Sequence, residues 1–482
     1  MTTPAPASAP TTAPTLATVG ALRASGHVQK SLRVELRENL LARLRAGEDP
    51  WPGLHGFEDT VIPQLERAII AGHDMVLLGE RGQGKTRLLR TLVGLLDEWT
   101  PVIDGADLGE HPYEPITVAS RRRAAELGDT LPIAWRHREE RYAEKLATPD
   151  TSVADLIGDV DPMKVAEGRS LGDPETIHFG LIPRSHRGIV AINELPDLAE
   201  RIQVAMLNVM EERDIQIRGY VLRLPLDVFV VASANPEDYT NRGRIITPLK
   251  DRFGAEIRTH YPKELAAEIA VIQQEADLLA DQVIVPGFLV EILARFTRNL
   301  RDSSAVDQRS GVSARFAIAG AETIAAAALR RATIEGEDHA VARVVDLETA
   351  VDVLGGKIEF ESGEEGRETE ILTHLLRTAT AETVREKFRG LDLALLVGAI
   401  EDGATVTTGE RIGARDLLSG LPVLGESDLY DQVCDRVNGA GSGTTDGERA
   451  AAIELALEGL FLARKIGKDQ HIGSTGSETV YG

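Results

Sequence analysis

The sequence predicts an α/β chain: a parallel sheet built round a phosphate-binding loop and flanked by helices, then an all-α domain, then an extra helical C-terminal region. Three observations predict it. The stretch GERGQGKT, Gly79 to Thr86, fits G-x-x-x-x-G-K-[ST] at every fixed position and lies between a short apolar run and a helical pattern. Two more apolar runs, Gly188 to Ile192 and DVFVVAS, end in polar residues, as buried strands leading to a site would. From about residue 261 onward the β-prone runs stop and helical periodicity takes over.

In chain order, MTTPAPASAPTTAPTLATVG has neither the basic nor the apolar region of a signal peptide, so residues 1–28 are expected to be a disordered tail. KSLRVELRENLLARLRAG places Leu32, Val34, Leu36, Leu40, Leu41 and Leu44 on a mostly helical period, and a turn and amphipathic helix then lead to the strand Met75–Leu78. After the loop, Leu88, Leu89, Val93 and Leu96 mark a helix, and PVIDG a second strand. Residues 106–150 are polar, and Arg121–Arg123 reads as a solvated or subunit-facing surface. DIQIRGYVLRLP has the pattern of a hairpin round Gly219 and Tyr220. The acidic stretch Glu359 to Gly366 marks a boundary. The expected domains are therefore 29–260 (nucleotide-binding α/β), 261–358 (helical lid) and 359–482 (helical extension with a disordered end).

Composition narrows the function. The chain has 482 residues with 43% hydrophobic and 27% charged, enough for sizeable cores. Lys+Arg 53 against Asp+Glu 76 gives a net charge of −23, which argues against a general nucleic-acid or anionic-membrane surface. Cys434 is the single cysteine, no run approaches a membrane span, and a reducing cytoplasm fits.

The loop is the main chemical signal. Its glycines let successive N–H groups turn toward one anion, and the following helix adds the positive end of its dipole. Gly79, Glu80, Arg81, Gly82, Gln83 and Gly84 would cradle phosphate, Lys85 would reach the β and γ phosphates, and Thr86 would ligate Mg²⁺. Glu194 is placed to polarise an attacking water, and Asn193 stands where an Asp commonly holds a Mg²⁺-bound water. A plain strand-end cap is the alternative. Asn235 can orient water or the γ-phosphate, or simply form an Asn-Pro turn. Arg242, Arg244 and Arg252 are candidate arginine fingers or ordinary surface arginines, and Arg315 either points at phosphate or sits exposed at a Ser-anchored helix start.

With these residues in place, the chain resembles the AAA+ ATPases, and among them the magnesium chelatase I subunit and the MoxR-type ATPases, over roughly residues 50–350. GERGQGKT looks like Walker A, IVAINEL like Walker B, SANPED like sensor 1, TPLKDRFG like the arginine-finger helix and GVSAR like the sensor 2 helix. TPDTSVADLIGDVDPMKVAEG with HFGLIPRSHRG is similar to the insert before Walker B in chelatase I subunits. The resemblance implies ATP and Mg²⁺ as cofactors, Glu194 as catalytic carboxylate, Asn235 as sensor 1, Arg252 as finger with Arg244 second, and Arg315 as sensor 2. It also implies a homo-oligomeric ring, usually hexameric, working with a von Willebrand A domain protein on metal insertion or remodelling. A chaperone for an unrelated client and a weakly hydrolysing scaffold, the latter motivated by Asn193, are the other two readings.

Overall fold

The computed structural model describes residues 12–167, 174–212, 215–217, 220–222, 224–235, 244–307, 311–422, 428–439, 445–473 and 476–482. They divide into two compact units, Met1–His260 and Tyr261–Gly482.

The first unit opens with α1 (Val19–Ala24) and α2 (Leu32–Ala46), followed by α3 (Ile62–Ala71) and β1 (Met75–Leu78). Here the structure corrects the expected tail. Thr18 caps α1 by accepting from the Ala21 N–H at 3.3 Å, and Val19 and Leu22 are buried against Ile103, Leu131 and Ile133. Residues 1–11 of that tail lie outside the described residues.

After the loop come α4 (Lys85–Thr91), extended by a 3-10 turn over Leu92–Leu95, then β2 (Trp99–Ile103), α5 (Val118–Leu127), β3 (Ile133–His137) and β4 (Tyr142–Leu146). The strand expected at PVIDG exists, but it pairs antiparallel with β3 in a ribbon of its own. The next strand of the main sheet is β4, within the stretch that reads only as polar. Its residues are half-buried or exposed, so no apolar run marks it. Arg121 and Arg122 lie exposed on α5. The chain continues through α6 (Val153–Leu156), β5 (Gly158–Val160), α7 (Pro162–Ala166), β6 (Ile177–Phe179) and α8 (Leu181–Arg184) to β7 (Gly188–Asn193). Then follow α9 (Glu200–Glu212), the expected hairpin of β8 (Ile215–Ile217) and β9 (Tyr220–Leu222), β10 (Val228–Ala234), α10 (Thr247–Arg252) and β11 (Ala255–Arg258).

The main sheet has five strands in the order β11-β1-β10-β7-β4, every neighbour parallel. Along the chain these are the fifth, first, fourth, third and second strands, so the order turns back beside β1, which is where open parallel sheets take ligands. β1, β7 and β10 are buried at every residue. Ile189, Ala191, Phe229 and Val231 pack on the side of α2, α3 and α4, whereas Val190, Ile192, Val230 and Ala232 pack with Ile202, Met206 and Val209 of α9.

Polar groups pin the amino ends of these strands. Asp74 Oδ1 accepts from the Val230 N–H at 2.9 Å while its carboxylate holds Arg33 Nη2 at 2.8 Å. The Arg187 N–H donates to the Asp227 carbonyl at 2.6 Å, and the Asp227 N–H to His186 Nδ1 at 3.1 Å. Buried Arg141 donates twice to Glu35 of α2, at 2.6 and 2.7 Å, and once to the Arg187 carbonyl at 2.9 Å. Asp74, Glu35 and Arg141 are each paired, as burial requires, whereas Nε and Nη1 of the buried Arg187 guanidinium have no hydrogen-bond partner among the described residues.

The second unit contains α11 (Leu265–Glu275), β12 (Val283–Ile284), α12 (Gly287–Asp302), α13 (Ala314–Glu335), β13 (Ala340–Val341), α14 (Val344–Leu354), α15 (Glu368–Lys387) and α16 (Ala394–Glu401). β14 (Val406–Gly409), α17 (Ala414–Ser419), α18 (Leu429–Asn438), α19 (Asp446–Leu462), β15 (Lys468–Gly473) and β16 (Gly476–Tyr481) complete it. It is mainly helical, but two expectations fail. One core runs from Ile272 to Tyr481, so residues 261–358 and 359–482 build a single body. The acidic stretch is stitched into it, with the Glu361 N–H donating to the Ala305 carbonyl at 3.0 Å. Nor is the end disordered: β16 pairs antiparallel with β14 and β15. Buried Glu458 of α19 accepts from Lys468 Nζ at 2.8 Å and from the Tyr481 hydroxyl at 2.6 Å, which anchors that sheet. Among the described residues no helix is long and apolar enough to cross a membrane.

Burial, and next the charge of Arg187, pushes His186 down to about 3; burial, then Arg187, pushes His111 down to about 2. Both are neutral in the fold and regain the ordinary value near 6.5 on unfolding, so the unfolded chain takes up protons first. Stability is thus intact above that value and falls as pH drops below it, with a slope approaching about 1.4 kcal/mol per pH unit for each histidine. Trp51, Trp99 and Trp135 all lie in the first unit, so tryptophan fluorescence during urea unfolding at about pH 7.5 and about pH 5 reports this loss. The His186→Gln chain is expected to lose less stability between the two.

Candidate functional site

The loop Gly79–Gly84 joins β1 to α4 and is tied to its neighbours on both sides. The Gly79 N–H donates to the Ala234 carbonyl of β10 at 3.1 Å, and the Thr259 N–H donates to the Leu78 carbonyl at 2.7 Å. Gln83 is buried and closes the loop on itself: its Oε1 accepts from the Glu80 N–H at 3.1 Å and from the Thr259 hydroxyl at 2.9 Å. A Cβ at Gly79 would fall on Thr259 Oγ1 and Gln83 Oε1. Gly82 and Gly84 adopt φ of +75° and +72°, where other residues are strained. Arg81, Gly82 and Gly84 are exposed, while Glu80 and Thr86 are half-buried.

Lys85 is buried, 7% exposed, and its ammonium donates to the carbonyl oxygens of Gly79 and Glu80, the latter at 2.7 Å. α4 starts at Lys85 with no side-chain cap on its first turn. A glycine-shaped concavity, an uncapped helix start and a buried ammonium at one place suit a phosphate group. Thr86 offers a hard oxygen of the kind Mg²⁺ takes.

The polar residues expected beside the loop are at the carboxyl ends of the next two strands. Asn235, 5% exposed, follows β10, whose Ala234 lies in register with Leu78 of β1. Asn193 ends β7 at 7% exposed, and Glu194 follows in the left-handed region, φ +56° and ψ +48°, a sparsely populated conformation for a non-glycine residue. Ser233 links them: its hydroxyl donates to Asn193 Oδ1 at 3.0 Å and accepts from the Glu194 N–H at 3.4 Å.

Sequence reasoning missed the other side of Asn193. Its Nδ2 donates at 2.7 Å to Glu144 Oε1 on β4. Glu144 also accepts from Arg90 of α4, Nε to Oε2 at 2.8 Å and Nη2 to Oε1 at 3.1 Å, and from the Tyr142 hydroxyl at 3.2 Å. Arg90, and then its neighbours' hydrogen bonds, hold the Glu144 carboxyl below the usual carboxylate range. Only the alternation of YAEKL could have hinted at a strand there, and it is too short and polar to stand out.

The arginines are less gathered. Arg252, at the end of α10, is half-exposed and paired with Glu211 of α9. Arg244 is exposed, its carbonyl accepting from Gln203 Nε2 at 3.1 Å. Arg242 lies outside the described residues. Arg315 belongs to the second unit, exposed in the first turn of α13, where Ser313 caps the helix by accepting from the Arg315 N–H at 3.2 Å.

No protein-family model matches the chain. Curated relatives do. It is 26% identical over 235 residues to the magnesium-chelatase subunit ChlI of Nostoc sp. strain PCC 7120, covering 47% of this chain and 59% of that one. It is likewise 26% identical over 240 residues to the magnesium-chelatase 38 kDa subunit of Rhodobacter capsulatus, covering 48% and 62%. The chain thus spans about three fifths of the length of the curated relatives it matches. Among solved structures, a cryo-EM-based complex of the magnesium-chelatase subunits BchI and BchD is similar at 20% identity and a TM-score of 0.35, covering 67% of this chain and 98% of that one. That superposition is loose, and the fold stands on strand order and loop position instead. Strand order, motif order and the curated relatives agree in making this chain similar to the AAA+ P-loop proteins of the magnesium-chelatase I and MoxR-like group.

Proposed function

We propose that the chain binds ATP with Mg²⁺ at residues 79–86 and hydrolyses it as one subunit of a homo-oligomeric ring, usually hexameric in this group. One observation carries this: the loop, Asn235 and the Asn193–Glu194 pair meet at the carboxyl ends of three adjacent strands, at the point where the sheet order turns back. Lys85 would turn from the Gly79 and Glu80 carbonyls to the β and γ phosphates, and Thr86 would offer its hydroxyl to Mg²⁺. Mg²⁺ would neutralise charge on the phosphate oxygens. Glu194 would polarise water and Asn235 would orient it. Arg252, with Arg244 second, would act on a neighbouring subunit's nucleotide, and Arg315 keeps the sensor 2 role that the resemblance gives it. Releasing Arg252 from its half-exposed partner Glu211 costs little, about 0–1 kcal/mol.

The work done with that energy would be metal insertion or remodelling beside a von Willebrand A domain partner. A MoxR-type chaperone acting on an unrelated client is the second reading. It is favoured because each of these two curated relatives leaves more than half of this chain uncovered. Buried, unpaired Cys434 suits a reducing cytoplasm.

Mg²⁺-dependent phosphate release by the purified chain, with and without candidate partners, tests the proposal; a chain inert to ATP in every case sinks it. Lys85→Ala should abolish nucleotide binding. Glu194→Gln should bind ATP normally and turn over about 10²- to 10⁴-fold more slowly. Arg252→Ala should bind but not hydrolyse, and mixing it with Lys85→Ala subunits should recover activity, since each then supplies what the other lacks. Recovery in the mixture separates a finger acting between subunits from one acting within a subunit.

A further inference from the structure

Residue 193 is an amide where the resemblance leads one to expect a carboxylate, yet a carboxylate is present beside it. Glu144 lies in register with Ala191 on the neighbouring strand, so its side chain leaves the sheet on the same face as Asn193. The amide orientation is fixed by chemistry: the Glu144 carboxylate only accepts, so Nδ2 must face it, and Oδ1 takes the proton of the Ser233 hydroxyl, which itself accepts from the Glu194 N–H. On the far side, Arg90 reaches Glu144 from α4, where it stands four residues after Thr86 and therefore on the same helix face. The Glu144 carboxylate thus lies between the Thr86 face of α4 and the end of β7.

The geometry points to Glu144 as the carboxylate of the Mg²⁺–nucleotide end of the site, aimed by Asn193 and neutralised by Arg90 until the cation arrives. This rests on the ATP reading of residues 79–86. Mg²⁺ is held through one or two carboxylates and its own waters, and Glu144 can supply one from a neighbouring strand. The Arg90 side chain is 64% exposed, so it can swing away into water without losing a buried contact. Asn193, a donor to Glu144 and an acceptor from Ser233, suits this role better than a second carboxylate, which would face Glu144 with no proton between them. Glu144 would act on the cation or its waters and Asn193 is a positioning residue that acts through Glu144, neither one touching the reacting phosphate.

The test measures binding of a fluorescent ATP analogue to the full chain while Mg²⁺ is titrated, so turnover is not the readout. Wild type should bind more tightly as Mg²⁺ rises. Glu144→Gln should forfeit about 10-fold or more of that gain, the scale of a hydrogen bond to a charged group. Arg90→Gln should shift the titration the other way, to lower Mg²⁺, because the carboxylate loses its competitor. The double swap Glu144→Gln with Asn193→Asp moves the charge back to strand β7 and should recover most of the gain. If Glu144 only latches β4 to α4, Arg90→Gln and Glu144→Gln behave alike and the swap recovers nothing; either result overturns the proposal. Should Glu144→Gln fail to fold, as judged by circular dichroism without nucleotide, Arg90→Gln decides alone. A wild-type chain that binds no nucleotide overturns the ATP reading itself, whereas Mg²⁺-dependent binding left unchanged by Glu144→Gln overturns only the role of Glu144.

Discussion

The arrangement depends on one constraint: β1, β7 and β10 are buried on both faces along their whole length, so they can carry polar side chains only where they end. Register then decides which polar residues meet. A slip of one residue would turn Asn193 from the α4 side to the α9 side and move Ser233 out of its reach. The opposite ends of the strands guard against this. Asp74 clamps β1 to β10 through the Val230 N–H, His186 and Arg187 clamp β7 to β10 through Asp227, and Arg141 adds β4 and α2 through Glu35. The polar groups at the amino ends of the strands, opposite the loop, are therefore those that align it.

Buried strands announce themselves in sequence because they are short, continuous and apolar, and that is why MVLL, GIVAI and VFVVAS were legible together with the polar residues that follow them. The loop was legible for a different reason: its glycines answer to backbone geometry, and Gly79, Gly82 and Gly84 each occupy a position where a side chain would clash or strain. β4 was not legible, since an edge strand with one neighbour keeps half of its surface in water and its composition follows water rather than the core. With it went Glu144, whose importance comes from a residue 49 positions away.

The second unit shows the converse error. An acidic, glycine-bearing stretch resembles a linker because loops are polar, but polarity at the surface does not reveal whether the core beneath continues. Here it does, from Ile272 to Tyr481. The C-terminal sheet escaped notice because KDQHIG is a polar strand whose attachment is ionic: Lys468 and Tyr481 reach Glu458 on a helix buried all round. Buried ion pairs of this sort leave no periodic trace, since each partner alone looks like a surface residue.

Asn193 carries the same lesson into the site. Taken by itself, an amide in that position looks like the loss of an acid. Beside Glu144 at 2.7 Å it is a donor to a charge, an interaction worth about 1.5–3 kcal/mol. An aspartate there would set two carboxylates against each other, and at about 4 Å and an effective dielectric of about 20 that repulsion is about 4 kcal/mol. The gap between those values couples residues 144 and 193 energetically across two strands. Arg90 holds the single negative charge of the pair from the side facing water. What a motif lacks at one position is therefore to be sought first among the side chains hydrogen-bonded to it.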